Sequence, residues 1–369
     1  MDEKNLIKVL LCGTGFGKVY LNAINSMDNY KLAGILGRGN RESISLSTMY
    51  KVPYYTNVDE IEEVFDLACV IVPNKAFGGD GSQIARKLLQ KGIPTLLEHP
   101  AHKNEIIECL KVSNHTNFLV NPFYRFTETY INYIELLDII RANSVLLNAS
   151  LECSINVLYS GLDMLCLAIK NIDKYIIHSS MNMFDKEKGK AGQSTSFVSM
   201  SIGKTPVFLK INREVDIENK DNPMHLYHRI ELTFDSGRLL LLNTNGPIVW
   251  LPFIDTQFNG DVINGVQRIF DFPTSIIFDC NNTNSIRETV EVEWVNAAER
   301  AIKKTLKQET SEKYAFLQFQ LFISELWSNV SKEIGYTNLK DLNINKNSMD
   351  ITNNLMSRHK SIGDKNGHM

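Results

Sequence analysis

An apolar run that ends in three closely spaced glycines lies near the start of the chain. Residues 8–17 read Lys-Val-Leu-Leu-Cys-Gly-Thr-Gly-Phe-Gly, and their first part has the continuous hydrophobic character of a buried parallel strand. Glycines placed in this way allow a tight turn and let the backbone approach a pyrophosphate at the N-terminus of the next helix. Helical spacing follows at Val19, Tyr20, Ala23 and Ile24. The sequence therefore predicts a dinucleotide-binding βαβ unit with these cofactor-binding residues: Gly13, Thr14, Gly15, Phe16 and Gly17.

The glycine motif departs from the usual spacing in one place. A strict G-x-G-x-x-G would have glycine at position 18, where this chain has Lys18. We expect Gly17 to provide the close contact between helix and strand instead. A structural turn that binds no nucleotide is the alternative interpretation.

The end of the second predicted strand, residues 31–36, bears on the choice of cofactor. An acidic residue usually binds the ribose hydroxyls of NAD at this position, whereas arginine accommodates the additional phosphate of NADP. This chain has Gly37 at the acidic position, followed by Arg38, Gly39, Asn40 and Arg41. The absence of a carboxylate at position 37 and the presence of two arginines favour NADP, because the arginines can form charge-assisted bonds with the 2'-phosphate. Arginines that are merely solvated are the alternative.

Composition excludes several classes of function. The net charge is -3 over 369 residues, with acidic and basic residues interspersed, so there is no electrostatic footprint for nucleic acid. We find neither an N-terminal signal-like segment nor the ~20 consecutive apolar residues that span a membrane. The six cysteines include no C-x-x-C pair and are interpreted as reduced thiols of a cytoplasmic protein.

The first third of the chain alternates short apolar runs with helical patterns. This succession is typical of a doubly wound parallel α/β sheet of the Rossmann type, whose ligands lie beyond the carboxyl ends of the strands. Pro73 and Asn74 follow one such strand and are expected at the cofactor edge. The remaining predicted strands are residues 53–56, 67–72, 94–97 and 118–121, and the predicted helices are 42–50, 82–91 and 104–113.

Strands without intervening helices dominate the second part of the chain, which predicts an α+β domain with a large open antiparallel sheet. A hairpin turn is expected at Asp235-Ser236-Gly237, and a helix through residues 316–330 should end at Gly335. The predicted strands are residues 145–154, 196–202, 207–215, 228–234 and 239–242. The predicted domains are a Rossmann domain at 1–122, a substrate and dimerisation domain at 123–338 and a loosely ordered tail at 339–369.

Glu98-His99-Pro100 ends a predicted strand where the cofactor should meet the second domain. The layout resembles the Gfo/Idh/MocA oxidoreductases, in which this tripeptide reads Glu-Lys-Pro. The resemblance implies that Glu98 contacts the nicotinamide ribose and that His99 replaces the catalytic lysine. The family's Asp-x-x-x-His pattern is incomplete here, since Asp163 is present but Leu167 occupies the position of the histidine.

A narrower resemblance is to the thiazolinyl imine reductases of siderophore biosynthesis. They share Glu-His-Pro, and their other motifs occur here in the same order at residues 120–124, 158–163, 228–229 and 246–250. The resemblance implies that NADPH reduces a thiazoline C=N to a thiazolidine. The substrate would be an intermediate held as a thioester on a carrier protein of a nonribosomal peptide synthetase. A homodimer formed through the open sheets is implied as well.

Reduction of an imine requires a proton donor, because negative charge develops on the nitrogen as hydride reaches the carbon. Histidine ionises near neutral pH and tyrosine only near pH ~10, so His99 is the first candidate for the catalytic acid and Tyr124 the second. The structural alternatives are packing of His99 against the ribose and packing of Tyr124 at a hinge.

Three further residues are candidates for substrate contacts, and each has a structural alternative. Asn121 would orient the nicotinamide or the substrate, or else cap a strand end. Asp163 is a substrate contact or a helix N-cap, and Trp250 forms the pocket floor or belongs to the core. His225 and His228 have no third ligand, so no metal site is expected.

Two other functions remain open from the sequence. One is an NADP-dependent dehydrogenase of a sugar or polyol, which the exchange of lysine for His99 opposes. The other is a sensor that binds NADP without catalysis.

Overall fold

The computed structural model describes residues 6–170, 172–183, 195–217, 228–253, 262–263, 266–267, 273–278, 285–307, 310–335, 338–340 and 350–357. Its N-terminal part is a six-stranded parallel sheet in the order β3-β2-β1-β4-β5-β6. The strands are β1 (Ile7–Cys12), β2 (Tyr30–Leu36), β3 (Tyr54–Tyr55), β4 (Leu67–Val70), β5 (Thr95–Glu98) and β6 (Phe118–Asn121). The helices between them are α1 (Gly17–Ser26), α2 (Arg41–Tyr50), α3 (Gly81–Gln90) and α4 (Lys103–Ser113).

The parallel sheet forms where the sequence has uninterrupted apolar runs. All residues of β4 and β6 are buried, as expected for strands that have helices on both faces. Because the strands are parallel, the residues that follow their carboxyl ends meet at one edge. Gly13, Gly37, Asn74, His99 and Pro122 all follow strand ends at this edge. The predicted Rossmann architecture is confirmed.

The second sheet has eight strands in the order β17-β14-β13-β12-β7-β10-β9-β8. It is mixed rather than wholly antiparallel, because β7 and β10 pair in parallel at its centre while the other pairs are antiparallel. The strands of this part are β7 (Leu146–Ser154), β8 (Tyr175–Met183), β9 (Thr195–Ile202), β10 (Thr205–Asn212), β11 (Glu214–Asp216), β12 (His228–Phe234), β13 (Gly237–Leu241), β14 (Ile248–Pro252), β15 (Val262–Ile263), β16 (Val266–Gln267) and β17 (Ile276–Phe278).

One face of the second sheet is covered and the other is open. Along β10 the buried positions Val207, Leu209 and Ile211 alternate with exposed ones. The covering helices include α6 (Leu158–Ile169), whose residues are almost all buried. No helix in the described part of the chain is both long and apolar enough to cross a membrane. The helices are α5 (Glu128–Arg141), α6 (Leu158–Ile169), α7 (Ile286–Glu288), α8 (Trp294–Leu306) and α9 (Thr310–Ile334).

The last two long helices join the two sheets. On α8, Glu299 accepts a hydrogen bond from Ser26 of α1. On α9, Ser324 donates to the carbonyl of Ala101, and Glu325 pairs with Lys103 at 2.5 Å. The domain boundaries given above remain predictions, but these contacts show that the C-terminal helices pack on the Rossmann part as well.

The sequence-based prediction needs three corrections in this part of the chain. The run predicted as one strand at 207–215 is two, β10 and β11, interrupted at Arg213. The strands β8, β14, β15, β16 and β17 were not predicted. Neither were β18 (Asn338–Lys340), which pairs in parallel with β11, and the helical residues 350–357. The rest of the predicted tail lies outside the described residues.

Candidate active site

The glycine motif forms a cradle at the N-terminus of α1. Gly13 has a φ of +88°, and a Cβ at this position would lie 2.5 Å from the carbonyl oxygen of Ile71, so only glycine fits. A Cβ on Gly15 would meet no atom within 4 Å, which leaves the backbone open on that side. No side chain caps α1. Uncapped N–H groups at an approachable helix N-terminus suit a pyrophosphate.

The remaining residues of the motif have different surroundings. Thr14 is buried, and its hydroxyl hydrogen-bonds Ser43 at 2.8 Å. Phe16 is partly exposed, and its ring meets those of Phe123 and Trp294 edge-on. A Cβ on Gly17 would lie 3.5 Å from Leu11, an ordinary contact, so close packing does not require glycine at this position.

Two hydroxyl groups crowd the end of β2, where NAD enzymes have an acidic residue. A Cβ on Gly37 would lie 2.7 Å from the hydroxyl oxygen of Tyr54 and 3.2 Å from that of Ser43. The Tyr54 hydroxyl accepts a hydrogen bond from the N–H of Gly39 at 2.7 Å. The side chain of Asn40 caps α2 by accepting from the N–H of Ser43, so its position reflects helix capping.

The two predicted phosphate-binding arginines are exposed at the same corner. Arg38 forms an ion pair with Asp80 at 2.6 Å, and both side chains remain accessible to solvent. Arg41 is the first residue of α2. Its guanidinium and the N-terminal end of α2 both favour an anion at this corner.

Asn74 connects the end of β4 to the Glu98-His99-Pro100 segment. Its side-chain N–H groups donate to the carbonyls of Glu98 and Pro100 at 2.9 and 2.8 Å. Its side-chain oxygen is buried without a hydrogen-bond partner in the described part of the chain, an arrangement that costs ~1–3 kcal/mol. A ribose hydroxyl or amide N–H of a bound dinucleotide could satisfy that oxygen. Pro73, which precedes it, is exposed at the cofactor edge.

Glu98 is held by hydrogen bonds on both carboxylate oxygens. One oxygen accepts from the hydroxyl of Tyr20, and the other lies 2.9 Å from Nδ1 of His99. Asn121 donates to the Tyr20 hydroxyl at 2.5 Å, and its side-chain oxygen accepts from the N–H of Phe123 at 2.9 Å. Burial, followed by the charge of Glu98, raises the pKa of Tyr20 well above its ordinary value, so this tyrosine is neutral.

Asn121 has the surroundings of its structural alternative, the capping of a strand end. Its side chain is completely buried, and both ends of the amide bond protein groups. It holds the Tyr20 hydroxyl and the Phe123 backbone. Contact with the nicotinamide or the substrate stays a prediction.

His99 is fixed in one tautomer by its surroundings. Nδ1 lies 2.8 Å from the carbonyl oxygen of Asn121. A carbonyl can only accept, so Nδ1 carries a proton. Nε2, on the opposite edge of the ring, has no hydrogen-bond partner among the described residues, and about 10% of the side chain is exposed. The ring stacks on Tyr159 with centroids 5.6 Å apart.

Tyr124 follows a strained turn. Phe123 has φ 52° and ψ -67°, and the N–H of Tyr124 bonds the carbonyl of Pro122 at 2.7 Å, which makes a γ-turn with a positive φ at its centre. Strained backbone of this kind is found mostly at functional sites. The Tyr124 ring lies edge-on to His99, with centroids 6.4 Å apart. Both predicted catalytic residues thus share one site.

His228 belongs to this site as well, a role that the sequence did not predict. Its ring is completely buried and lies edge-on to Tyr124 at 4.8 Å. Nε2 is 2.9 Å from the hydroxyl of Ser160 and 3.3 Å from the carbonyl of Val157, and Nδ1 is 3.0 Å from the hydroxyl of Thr244. Burial lowers the pKa of His228 to about 3, and nearby His99 also lowers it. His228 is therefore neutral and supports the ring of Tyr124.

Comparisons with known proteins agree with this geometry. Residues 7–121 match the oxidoreductase family with an NAD-binding Rossmann fold, Gfo/Idh/MocA, and residues 146–251 match the C-terminal domain of Irp3-like thiazolinyl imine reductases. The N-terminal part of the chain is a Rossmann domain of the Gfo/Idh/MocA oxidoreductases. The protein is thus an enzyme whose Rossmann domain takes a nicotinamide dinucleotide. Comparison with curated proteins finds no match.

Solved structures share the fold of this oxidoreductase at low sequence identity. An oxidoreductase from Agrobacterium radiobacter, in complex with NAD+, L-tartaric acid and magnesium, has a TM-score of 0.64 and 11% identity, with 89% of this chain and 96% of that chain covered. A dehydrogenase from Chromobacterium violaceum has a TM-score of 0.62 and 11% identity over 97% and 99% of the two chains. Biliverdin reductase from Synechocystis, with biliverdin and NADP+, has a TM-score of 0.58 and 11% identity over 89% and 99%.

Two predicted substrate contacts of the oxidoreductase lie elsewhere. Asp163 is the sixth residue of α6, not its N-cap, and its buried carboxylate binds Arg125 and Gln320. The ring of Trp250 lies against Gly237, whose strand partner is Phe234. Phe234 and His228 are the two ends of β12, six residues or roughly 20 Å apart. The Trp250 ring therefore lies near the end of β12 that is far from the site. The core interpretation of Trp250 fits this position better, and substrate contact by Trp250 or Asp163 stays a prediction.

Proposed function

We propose that this oxidoreductase uses NADPH to reduce a thiazoline C=N to a thiazolidine, on an intermediate bound as a thioester to a carrier protein of a nonribosomal peptide synthetase. The observation that carries the proposal is the anchoring of His99 through Nδ1, which leaves Nε2 without a partner among the described residues, so that the imidazolium form of His99 can donate a proton from Nε2. The match of the second domain to thiazolinyl imine reductases supports the same chemistry.

In the proposed reaction His99 supplies the proton. When bound, NADPH provides the hydride for the imine carbon. As the C=N π bond breaks, the nitrogen takes a proton from Nε2 of the His99 imidazolium. The carboxylate of Glu98 lies 2.9 Å from Nδ1 and helps to hold the ring while Nε2 donates. The products are the thiazolidine N–H, NADP+ and neutral His99, which regains a proton from solvent through its exposed edge.

Tyr124 is the second candidate for the proton donor. Its ring is held between His228 and His99. A tyrosine donates less readily at neutral pH, so its more direct contribution is to shape the pocket beside His99. Glu98 and Asn74 face the same strand edge and are the groups that would hold the nicotinamide end of the cofactor.

NADP is preferred over NAD in this proposal. The hydroxyls of Tyr54 and Ser43 crowd position 37, which holds glycine instead of an acidic residue, while Arg38 and Arg41 lie at the adjacent corner. A 2'-phosphate there would meet two guanidinium groups and no carboxylate at the position that NAD enzymes use.

A dehydrogenase of sugars or polyols is the second candidate, and the match of the second domain to thiazolinyl imine reductases opposes it. Alcohol oxidation needs a base, and with the family's lysine replaced, Nε2 of neutral His99 would have to accept the proton. Asp163 cannot take that role, because both of its oxygens bind protein groups. The third candidate is a sensor without catalysis, and such a protein would not require His99 to be anchored through Nδ1.

A second copy of this chain is the proposed partner of the open sheet face. Apolar side chains are exposed there at Ile176, Met181, Phe197 and Phe208. Ion pairs cross the centre of the same face, where Glu152 binds Lys210 at 2.7 Å and Arg229 at 3.9 Å, and Glu231 binds Arg238 at 3.5 Å. Sedimentation of the wild-type protein should give a dimer that the substitution Phe208→Glu converts to a monomer. A wild-type monomer would refute this part of the proposal.

The proposed function is tested by NADPH consumption with a small thioester of a thiazoline carboxylate. We expect turnover with this substrate and none with cyclic polyols and NADP+. Oxidation of polyols without thiazoline reduction would favour the dehydrogenase. Cofactor binding with neither reaction would favour the sensor.

A further inference from the structure

Four residues form a buried polar chain between the two candidate acids. They are Arg125, which follows Tyr124, then Asp163 and Gln320, and finally Tyr159, whose ring stacks on His99. Arg125 donates to both oxygens of Asp163 at 2.7 and 2.6 Å. Gln320 donates to the same carboxylate at 2.8 Å and accepts from the Tyr159 hydroxyl at 2.8 Å. The buried polar chain thus joins α6, α9 and the turn of Tyr124.

Gln320 is chemically suited to its place in the buried polar chain. It lies between a hydroxyl that must donate and a carboxylate that only accepts, and an amide provides one acceptor and one donor for them. A glutamate would add a second negative charge beside Asp163, and an aliphatic side chain would supply neither bond. Gln320, Asp163 and Tyr159 are essentially without solvent exposure, so no water can replace a lost partner easily.

The other end of the buried polar chain restricts His99. The hydrogen bonds of Nδ1 fix one edge of the imidazole but allow the ring to tilt about that edge. The Tyr159 ring covers one face of the imidazole at 5.6 Å, with an angle of 25° between the planes. Trp327 in turn meets Tyr159 edge-on at 5.7 Å. The direction of Nε2 therefore depends on where the Tyr159 ring is held.

We infer that Gln320 is a positioning residue for His99. It holds the Tyr159 hydroxyl, and the Tyr159 ring then keeps Nε2 of His99 directed at the substrate nitrogen. The inference rests on the proposed function, in which His99 donates the proton. Gln320 itself contacts neither acid, and its effect is transmitted through the buried polar chain.

Two substitutions and a matched control separate positioning from general stability. Gln320→Leu removes both side-chain bonds, and Tyr159→Phe removes the hydroxyl while keeping the stacked ring. The control is Tyr175→Phe. The hydroxyl of Tyr175 accepts a hydrogen bond from the side chain of Asn329 at 2.5 Å, and Asn329 lies on α9, as Gln320 does. This variant therefore also loses a bond between a tyrosine hydroxyl and an amide side chain of α9, but away from His99.

The first readout is the NMR resonance of the His99 Cε1–H group in the full chain with labelled histidine, identified by its absence in His99→Gln. A stacked ring shifts this resonance, and the measurement needs no turnover. We expect Gln320→Leu and Tyr159→Phe to move it and Tyr175→Phe to leave it in place. An unchanged resonance in a folded Gln320→Leu protein would overturn the inference. If Gln320→Leu does not fold, Tyr159→Phe decides on the same criterion.

The second readout is the rate of thiazoline reduction. We expect kcat to fall roughly tenfold to a hundredfold in Gln320→Leu with little change in KM, as for a misplaced catalytic group. The double variant with Tyr159→Phe and Gln320→Leu should show no lower kcat than Gln320→Leu alone, because both substitutions act through one contact. Additive losses would contradict the inference. If the wild type reduces no thiazoline, the proposed function fails, while the NMR result still decides whether Gln320 positions His99.

Discussion

The guanidinium of Arg125 and the carboxylate of Asp163 form a two-bond ion pair inside the protein. The bonds are 2.7 and 2.6 Å long, and neither side chain is more than 9% exposed. The aromatic rings of Phe316 and Phe319 lie within 5.0 Å of the guanidinium carbon. Because the turn that carries Arg125 also carries Tyr124, this pair fixes one wall of the active site.

Removal of the carboxylate should destabilise the protein strongly. Asp163→Ala leaves the guanidinium of Arg125 buried without its counter-charge, a change that typically costs ~3–5 kcal/mol. Urea unfolding measures the loss. The matched control is Asp59→Ala, since Asp59 pairs with Lys87 at 2.7 Å in an exposed position, where a loss of at most about 1 kcal/mol is expected. Equal losses in the two variants would contradict the prediction.

The burial of His228 should make stability depend on pH. The pKa of His228 is about 3 in the folded protein and ~6.5 in the unfolded chain. Between these values only the unfolded chain binds the proton, so stability is complete above pH ~6.5 and falls as the pH decreases toward 3. The expected slope is about 1.4 kcal/mol per pH unit.

Urea unfolding at pH 7.5 and pH 5 checks this dependence. His228 should account for a loss of about 2 kcal/mol between the two conditions. His228→Gln should remove that share of the dependence, whereas exposed His178→Gln should retain it. If the two variants lose stability equally between pH 7.5 and 5, the assigned role of burial is wrong.

The arginines at the end of β2 should discriminate between the two cofactors. Bonds to charged groups contribute ~1.5–3 kcal/mol, so Arg38→Ala with Arg41→Ala should weaken NADPH binding more than tenfold and leave NADH binding nearly unchanged. Calorimetric titration with both cofactors measures this. Arg287→Ala, an exposed arginine on α7, serves as the control. An equal loss for NADH and NADPH would remove the argument for the 2'-phosphate.

Two glycines of the cofactor site should respond differently to alanine. Gly37→Ala places a Cβ 2.7 Å from the Tyr54 hydroxyl, and overpacking of this kind costs ~1–3 kcal/mol. Adding Tyr54→Phe removes that oxygen and should recover part of the loss. Gly15→Ala meets no neighbouring atom, so it should retain stability and weaken NADPH binding. Unfolding and titration together check both variants. Wild-type stability in Gly37→Ala would show that the space at this position is larger than the structure indicates.

The fold could be predicted largely from local pattern. Apolar runs ending in Gly13, Gly37 and Asn74 mark strands of a parallel sheet, because burial on both faces leaves a continuous hydrophobic signature. The parallel pairing of β7 with β10 could not be predicted, since alternation along a strand is the same for either direction of its partner.

The candidate site was only partly predictable. The positions of His99 and Tyr124 could be predicted because both residues follow the ends of strands, and the ends of apolar strands can be recognised in a sequence. Tyr20 has the same helical spacing as the core residues of α1, and only the fold shows that its hydroxyl bonds Glu98. The hydrogen bonds of Asp163 could not be predicted, because one of its partners, Gln320, is 157 residues away.

Hydride transfer to the C=N carbon is most directly tested with NADPH that carries deuterium at the reactive position of the nicotinamide. With a thiazoline thioester as substrate, mass spectrometry should show a thiazolidine with one deuterium on carbon. Its rate of formation should fall ~100- to 10,000-fold in His99→Gln, while NADPH binding is retained. A wild-type enzyme that forms no labelled thiazolidine, or a His99→Gln variant that forms it at the wild-type rate, would contradict the account.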